Sequence, residues 1–508
     1  MNEVEKRAAI DPARLEALSW IGLASLSGVL LVVRLLAASR VGFGDSEALY
    51  ASYALHPQPA YLDHPGLVGV FARALGGGTA PGPERVHAVT SILATMVPWA
   101  MALCCRAAGA PWVRALVTAI VFALVPEIAV GLFAMTPDLL LALTWIGSLA
   151  LAALALRSPA GGARASLSFA GAGLLAGAAA ASKVSGILLL VALVATFLSK
   201  PARPHAKTMA PWVGLAAGLG VLVPIAAFES HMGWPLLVHR LRSTQAEAGL
   251  SLRNLGALVG GQLAYVSPVV AVLAALGVRA AWRSWRSEKA DAVPALLFLA
   301  FAIPAAVLVP LMLWSRVAEP HWLAPALLSL APTLALSPAP PSRRLVVAAA
   351  ATAAAMVAAV HLWVLVPGLL GLAPASYDAR VDIANELQGW SEALPAVREE
   401  VAAQASPGLE DVAVVGPHWV ICAQLEADLR GDAHVGCDTP IPDDFDGWWP
   451  RARWRSADAI VWVTDERFPL PPPPPAYALF HVRRVKVKRA DRIVRTFTIA
   501  VWLRRAQG

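Results

Sequence analysis

The apolar run LSWIGLASLSGVLLVVRLLAA (18–38) is followed almost at once by GFGDSEALYASYALHPQPAYLDHPG (42–66). The first stretch is long enough to cross a bilayer, which takes roughly 20 apolar residues. The second places Asp45, Glu47, His56, Asp63 and His64 directly outside it. Ionisable residues collected at one end of a membrane helix need a reason, and the rest of the chain supplies one.

Of 508 residues, 57% are hydrophobic and only 15% are charged, where a soluble protein carries about a quarter. Mean hydropathy is +0.61. So much apolar surface has no soluble core to enter, and the membrane is its solvent. Runs of spanning length occur near 18–38, 87–107, 112–132, 138–157, 165–182, 184–200, 209–228, 256–278, 293–314, 321–338 and 345–367, about eleven in all. Lys183 alone separates the fifth run from the sixth. The formal charge of +7 has a topological cause rather than a nucleic-acid partner. With Lys6, Arg7 and Arg14 in the cytoplasm, one set of loops carries Arg106, Arg114, Arg157, Arg164, Lys200, Arg203, Lys207, Arg279, Arg283, Arg286, Lys289, Arg343 and Arg344. The opposite loops carry Asp45, Glu47, Asp63, Glu84, Asp138, Glu229, Glu247 and Glu319. This obeys the positive-inside rule. It predicts a multi-pass membrane protein, with a retained first helix, a cytoplasmic N-terminus and, for an odd number of spans, an extracytoplasmic tail.

The tail, 375–508, is a separate domain from the membrane part, 1–374. Its β-like runs DVAVVG, DAIVWVT, FHVRRVKVK and RIVRTFTIAVWL flank a helical pattern in HWVICAQLEADLRG, which predicts a small α/β domain. LPPPPP (470–475) is a stiff connector. Cys422 and Cys437 can pair if the tail is in an oxidising compartment, whereas Cys104 and Cys105 are packing residues of the membrane part.

Candidate chemistry lies on the acidic side. EALYASYALH and PGLVGVFARALGG read as short helices in the interface plane. TPDLLL offers Asp138, an acid that also suits a helix N-terminus. Lys183 sits on the side that the positive-inside rule disfavours, which calls for an anionic partner. FESHMGWPLLVHRLRS contributes Glu229, His231, His239, Arg240 and Arg242, and SRVAEPHW contributes Arg316, Glu319 and His321. Together these cations and imidazoles suit a phosphate anion. Asp63-His64 and Glu319-Pro-His321 are also metal-ligating residue types, but lone Asp-His pairs are common by chance and the two loops are distant in sequence; no cofactor is expected, with a divalent metal as the lesser alternative. Arg34 reads as a snorkelling side chain.

These fragments resemble the GT-C membrane glycosyltransferases that use polyprenyl-phosphate sugars, the protein O-mannosyltransferase and aminoarabinose transferase (ArnT-like) superfamily. Asp45-Ser-Glu47-Ala-Leu-Tyr50 is similar to its first-loop Asp-Glu-x-x-Tyr, and Tyr61-Leu-Asp63-His64-Pro65-Gly66 to its Tyr-Phe-Asp-His-Pro-Pro. Thr136-Pro137-Asp138, Gly173 and Gly177 with Ser182-Lys183, Gly233-Trp234 and His321-Trp322 follow in order. Ser46 parts the two acids, and Gly66 replaces a proline. The resemblance implies a polytopic α-helical protein with a small extracytoplasmic domain. It implies inverting transfer of a sugar from undecaprenyl phosphate to a lipid, glycan or protein, with membrane lipids as surroundings. Asp45 would be the general base, with Glu47 and Asp63 as further catalytic carboxylates. Tyr50, Tyr61, His64, Asp138, Lys183, Arg240, Arg242 and His321 would bind donor or acceptor. Two other classes compete. A transporter or flippase needs ionisable residues near the midplane and two similar halves. A non-catalytic scaffold predicts that Asp45 and Lys183 are dispensable.

Overall fold

The computed structural model describes residues 11–245, 248–287, 291–315, 319–404 and 411–505. Lys6, Arg7, Glu247, Lys289 and Arg316 lie outside the described residues. Seven helices are long and apolar enough to cross a membrane: Pro12–Ala38, Pro83–Ala108, Pro137–Leu156, Ala163–Ser182, Ala210–Met232, Ala292–Trp314 and Arg343–Leu365. Their outward surfaces are apolar, with Ile21 and Val29 each 61% exposed, as lipid contact demands. Three further runs are bent pairs, at 75° in Trp112–Ala123 with Pro126–Phe133, 84° in Val184–Phe197 with Lys200–Ala206, and 101° in Leu252–Val266 with Pro268–Arg286. Each break coincides with Pro126, Pro201 or Pro268. Proline lacks an N–H and disfavours α geometry in the residue before it. Counting each pair once gives up to ten spans.

The difference from eleven is the run 321–338. It is a file of short helices, Pro320–Leu323, Ala324–Leu328 and Leu330–Leu336, with prolines at 320, 325 and 332. The file still passes down the molecule, since Trp145 donates to Ser329 midway and Arg114 donates to the Ser337 carbonyl at its end.

Arg34 does not snorkel. It is 1% exposed and donates to the carbonyls of Ala129 and Ile128 and to Thr95 Oγ1. It satisfies backbone acceptors where the short helix Pro126–Ala129 ends, which in a bilayer no water would reach. The helices Ala163–Ser182 and Ala210–Met232 touch backbone to backbone. A Cβ on Gly173 would lie 1.8 Å from the Gly214 carbonyl oxygen, and one on Gly177 would lie 2.3 Å from that of Gly218. This is small-residue packing of the kind membranes favour.

The outer domain is a five-stranded mixed sheet in the order β2-β1-β3-β5-β4. β1 (Val412–Gly416) pairs in parallel with β2 (His434–Cys437) and β3 (Ala459–Asp465). β5 (Arg492–Arg504) runs antiparallel to β3 and β4 (Tyr477–Arg489). The four strands and the helix Trp419–Leu429 expected from sequence are present; β2, four residues with one exposed, carries too little periodicity to read. Cys422 and Cys437 are bonded, joining that helix to β2.

The domain rests on the first outer segment. The helix Trp419–Leu429 packs on Asp45–Ser52, Gln424 donates to the Phe43 carbonyl and His56 meets Glu426 at 2.7 Å. Asp45–Ser52 is therefore not an interfacial helix: every residue except Ser46 is buried. Leu67–Gly76 does have two faces, with Val68 and Ala72 buried and Val70 62% exposed.

Candidate functional site at the mouth of an apolar groove

Two chain breaks position the centre of the site. The helix Ala163–Ser182 stops at Lys183, which is extended (φ −147°, ψ 137°), before the turn Val184–Gly186. Gly186 permits that turn, because a Cβ there would lie 2.2 Å from the Ala179 backbone. Lys183 Nζ donates to Asp138 Oδ1 at 2.7 Å. Asp138 lies in the first turn of Pro137–Leu156, where its charge also meets the positive end of the helix dipole. His321 Nε2 is 3.7 Å from Asp138 Oδ2, and its Nδ1 is 3.3 Å from Glu319.

A second group closes on this one. Asp63 Oδ1 is 3.1 Å from Arg240 and 3.6 Å from His239. Arg240 also donates through Nε to the Asp63 carbonyl and reaches His64 Nε2 at 3.4 Å. Tyr50 lies edge-on to His64. Burial, reinforced by the charges of Arg240 and Lys183, holds His64 well below the usual imidazole range. Burial and Lys183 lower His321 to about 4. Both are neutral near pH 7 and act as hydrogen-bonding groups, so the cations are Lys183 and Arg240. Burial raises the Glu319 carboxyl and takes Tyr50, beside Asp63 and Asp138, well above the ordinary phenol value.

The remaining candidates sit elsewhere. Glu47 accepts from the Gly44 and Met135 backbone N–H groups and meets His87; it locks the helix start to the membrane core. Tyr61 stacks on Tyr53 at 3.5 Å and its hydroxyl donates to the His56 carbonyl, pinning the loop. Glu229 accepts from Leu236 N–H. Arg242 is exposed just past the Pro235–Leu241 helix. Asp45 faces the outer domain: its Oδ2 lies 2.7 Å from Arg467, which Asp465 also holds at 2.9 Å, and Asp465 in turn pairs with Arg495. Neighbouring residues on a helix point about 100° apart. Ser46, standing between the two acids, is the exposed residue of this turn, and Asp45 is rotated away from the cluster.

Glu127, Asp444 and Arg467 escaped the sequence reading. Glu127 carried a usable signal, an acid inside an apolar run. The other two are recognisable only through tertiary contact.

Glu127 and Asp138 line the outer end of a groove of about 510 Å³. Its walls are apolar, including Val121, Leu132, Val266, Val270, Ala274 and Leu334, and its far end carries Arg114, Pro340 and Arg343. The groove thus runs between the acidic and the basic faces of the helical body. Among the described residues no group of three or more His, Cys, Asp and Glu is arranged to hold a metal ion.

A family model for dolichyl-phosphate-mannose-protein mannosyltransferase matches residues 83–228. No curated protein sequence matches the chain. ArnT from Cupriavidus metallidurans in the apo state is similar in structure with TM-score 0.60 and 16% identity, covering 95% of this chain and 98% of that one. The same protein bound to undecaprenyl phosphate gives 0.57 at 16% over the same shares. The Archaeoglobus fulgidus oligosaccharyltransferase tethered to an acceptor peptide gives 0.51 at 14%, over 87% and 69%. The likeness to the S. cerevisiae protein O-mannosyltransferase complex spans 49% of this chain and 37% of that one, at a TM-score of only 0.35, and carries no weight. Over nearly its whole length, outer domain included, the chain has the fold of ArnT from Cupriavidus metallidurans.

Proposed function

We propose that the protein transfers a sugar from a polyprenyl-phosphate donor to an acceptor hydroxyl at the face of the membrane that carries the outer domain, the periplasmic face of a bacterial inner membrane. The observation that carries this reading is the junction of an apolar groove with two buried or half-buried cations. The groove ends at Asp138, and Asp138 holds Lys183. A molecule with a long apolar tail and an anionic head fits that junction and little else does. Undecaprenyl phosphate is such a molecule, and the Cupriavidus protein of the same fold binds it.

The chemistry follows from the donor. The bond from the anomeric carbon to the phosphate oxygen breaks, and a bond to the acceptor oxygen forms from the opposite side, with inversion. The leaving group is a phosphate and needs no general acid. Lys183 and Arg240 hold its charge as it develops. Asp138 and Asp63, which pair with these two cations, fix their positions. The acceptor proton goes to a carboxylate. Asp63, with its side chain 32% exposed beside Arg240, is better placed for that than Asp45, whose side chain is 8% exposed and paired with Arg467. The acceptor is a lipid, glycan or protein hydroxyl. A transporter would need its ionisable groups near the midplane, whereas here they gather at one end.

Native mass spectrometry of detergent-purified protein with undecaprenyl phosphate tests the reading. Binding is expected, weakened about tenfold or more by Lys183→Met, a loss of roughly 1.4 kcal/mol, and similarly by the groove-filling Ala274→Trp. No binding, or binding indifferent to both changes, contradicts it.

A further inference from the structure

The outer domain reaches the site through Asp444. Its Oδ1 accepts the Leu62 N–H at 3.1 Å, and its Oδ2 accepts the Tyr53 hydroxyl at 3.1 Å. Leu62 immediately precedes Asp63, whose carboxylate and carbonyl both hold Arg240. The loop is otherwise tied mainly to itself: Tyr61 N–H to the His64 carbonyl, Gly66 N–H to the Pro59 carbonyl, and the Tyr53–Tyr61 stack. The other direct grip of the domain on the loop, His56 with Glu426 and Trp448, lies six residues away from Leu62 in the chain. We infer that Asp444 is a positioning residue, an outer-domain carboxyl group that sets the register of the Asp63–Arg240 pair, so that the domain is a working part of the site.

This inference rests on the glycosyl-transfer reading for its consequence but not for its geometry. Burial, with Asp63 and Asp443 nearby, raises the Asp444 carboxyl to about 7. A carboxyl group that holds its proton near neutrality has a neutral isostere in asparagine, which keeps an acceptor for Leu62 N–H. Alanine keeps nothing.

Two readouts on the full-length protein separate the possibilities. Hydrogen exchange of the peptide spanning residues 54–66 is independent of activity. It should speed up in Asp444→Ala and remain near wild type in Asp444→Asn. Transfer from a polyprenyl-phosphate sugar should fall in kcat by roughly 10- to 100-fold in the alanine variant, as misplacement of a reacting group by about 1 Å does, and recover in the asparagine variant. Unchanged exchange in Asp444→Ala overturns the positioning role whatever the protein transfers. Faster exchange with unchanged kcat overturns its link to the reaction. Tyr53→Phe, which removes only the second contact, should show a smaller shift of the same sign in both readouts.

Discussion

Two polar clusters grow from the same first outer segment and differ in kind. Within the cluster of Asp63, Asp138, Lys183, Arg240 and His321, Asp138 lines the end of an apolar groove, and the ion pairs keep partial access to solvent. The cluster around Asp45, Asp465, Arg467 and Arg495 lies between the membrane part and the outer domain, with Asp465 fully buried between two arginines and Arg467 and Arg495 lining a small polar pocket. Beside Asp45, burial and that acid's charge raise the Glu386 carboxyl, which accepts the Asp45 N–H. Both clusters look alike in sequence, acids and arginines among apolar residues. Their surroundings separate them. The Asp45–Arg467 pair ties the membrane part to the C-terminal domain, while Asp138 of the other cluster lines a groove with apolar walls.

The largest effect expected from this contrast is at Lys183. Lys183→Met should lower transfer by roughly 100- to 1000-fold, the usual cost of losing one preorganised group that stabilises developing charge. An equal loss in Arg467→Met would erase the distinction between the clusters. Asp63→Asn should lower kcat about 100-fold with a smaller change in KM, as removal of a general base does; a pure KM effect would reassign Asp63 to binding. Asp45→Ala should act on stability instead. Arg467 keeps Asp465 as a partner and is partly exposed, so the cost is about 2 kcal/mol, below that of stripping a fully buried pair. It should register as a lower Tm with kcat within a few-fold of wild type at a temperature where the variant is folded. Reducing the Cys422–Cys437 bond opens a loop of 15 residues and should cost about 3 kcal/mol of domain stability in the chain-entropy account; a Tm unmoved by reductant would contradict it.

A further effect is a pH dependence at the junction of the two regions. The Asp444 carboxyl lies at about 7 in the folded protein, against roughly 3.9 unfolded. Between those values the unfolded chain loses the proton that the folded protein keeps. Asp444 therefore costs no stability below pH 4, and an increasing amount as pH rises toward 7. Asp444→Asn should raise Tm relative to wild type at pH 8 and leave it unchanged near pH 4; a Tm difference that does not grow with pH would sink this account.

The spans were legible because composition fixes their solvent, and the outer strands because β-branched residues cluster in them. Proline explains what was not: the run 321–338 has the hydropathy of a span, but Pro325 and Pro332 interrupt it. At the site, Asp63, His64, Asp138, Lys183, Arg240 and His321 could be found because polar residues interrupting apolar runs stand out. Tyr50 lies against His64. Asp45 pairs with Arg467 of the C-terminal domain, which no motif reveals, because helical phase, about 100° per residue, is invisible in it. Glu47 and Tyr61 carry the same residue types as site groups, and only their hydrogen bonds reveal them as fasteners. Asp444 and Arg467 are hundreds of residues from the segment they grip, beyond the reach of any local pattern.

The most direct test is transfer of radiolabelled sugar from a panel of polyprenyl-phosphate donors into membrane extracts, comparing wild type, Asp63→Asn and Asp45→Asn at equal amounts of folded protein. The account predicts transfer by wild type from at least one donor, its loss in Asp63→Asn, and its survival within a few-fold in Asp45→Asn. Survival in Asp63→Asn with loss in Asp45→Asn would return the base to Asp45, and no transfer by wild type from any donor would contradict the glycosyl-transfer reading itself.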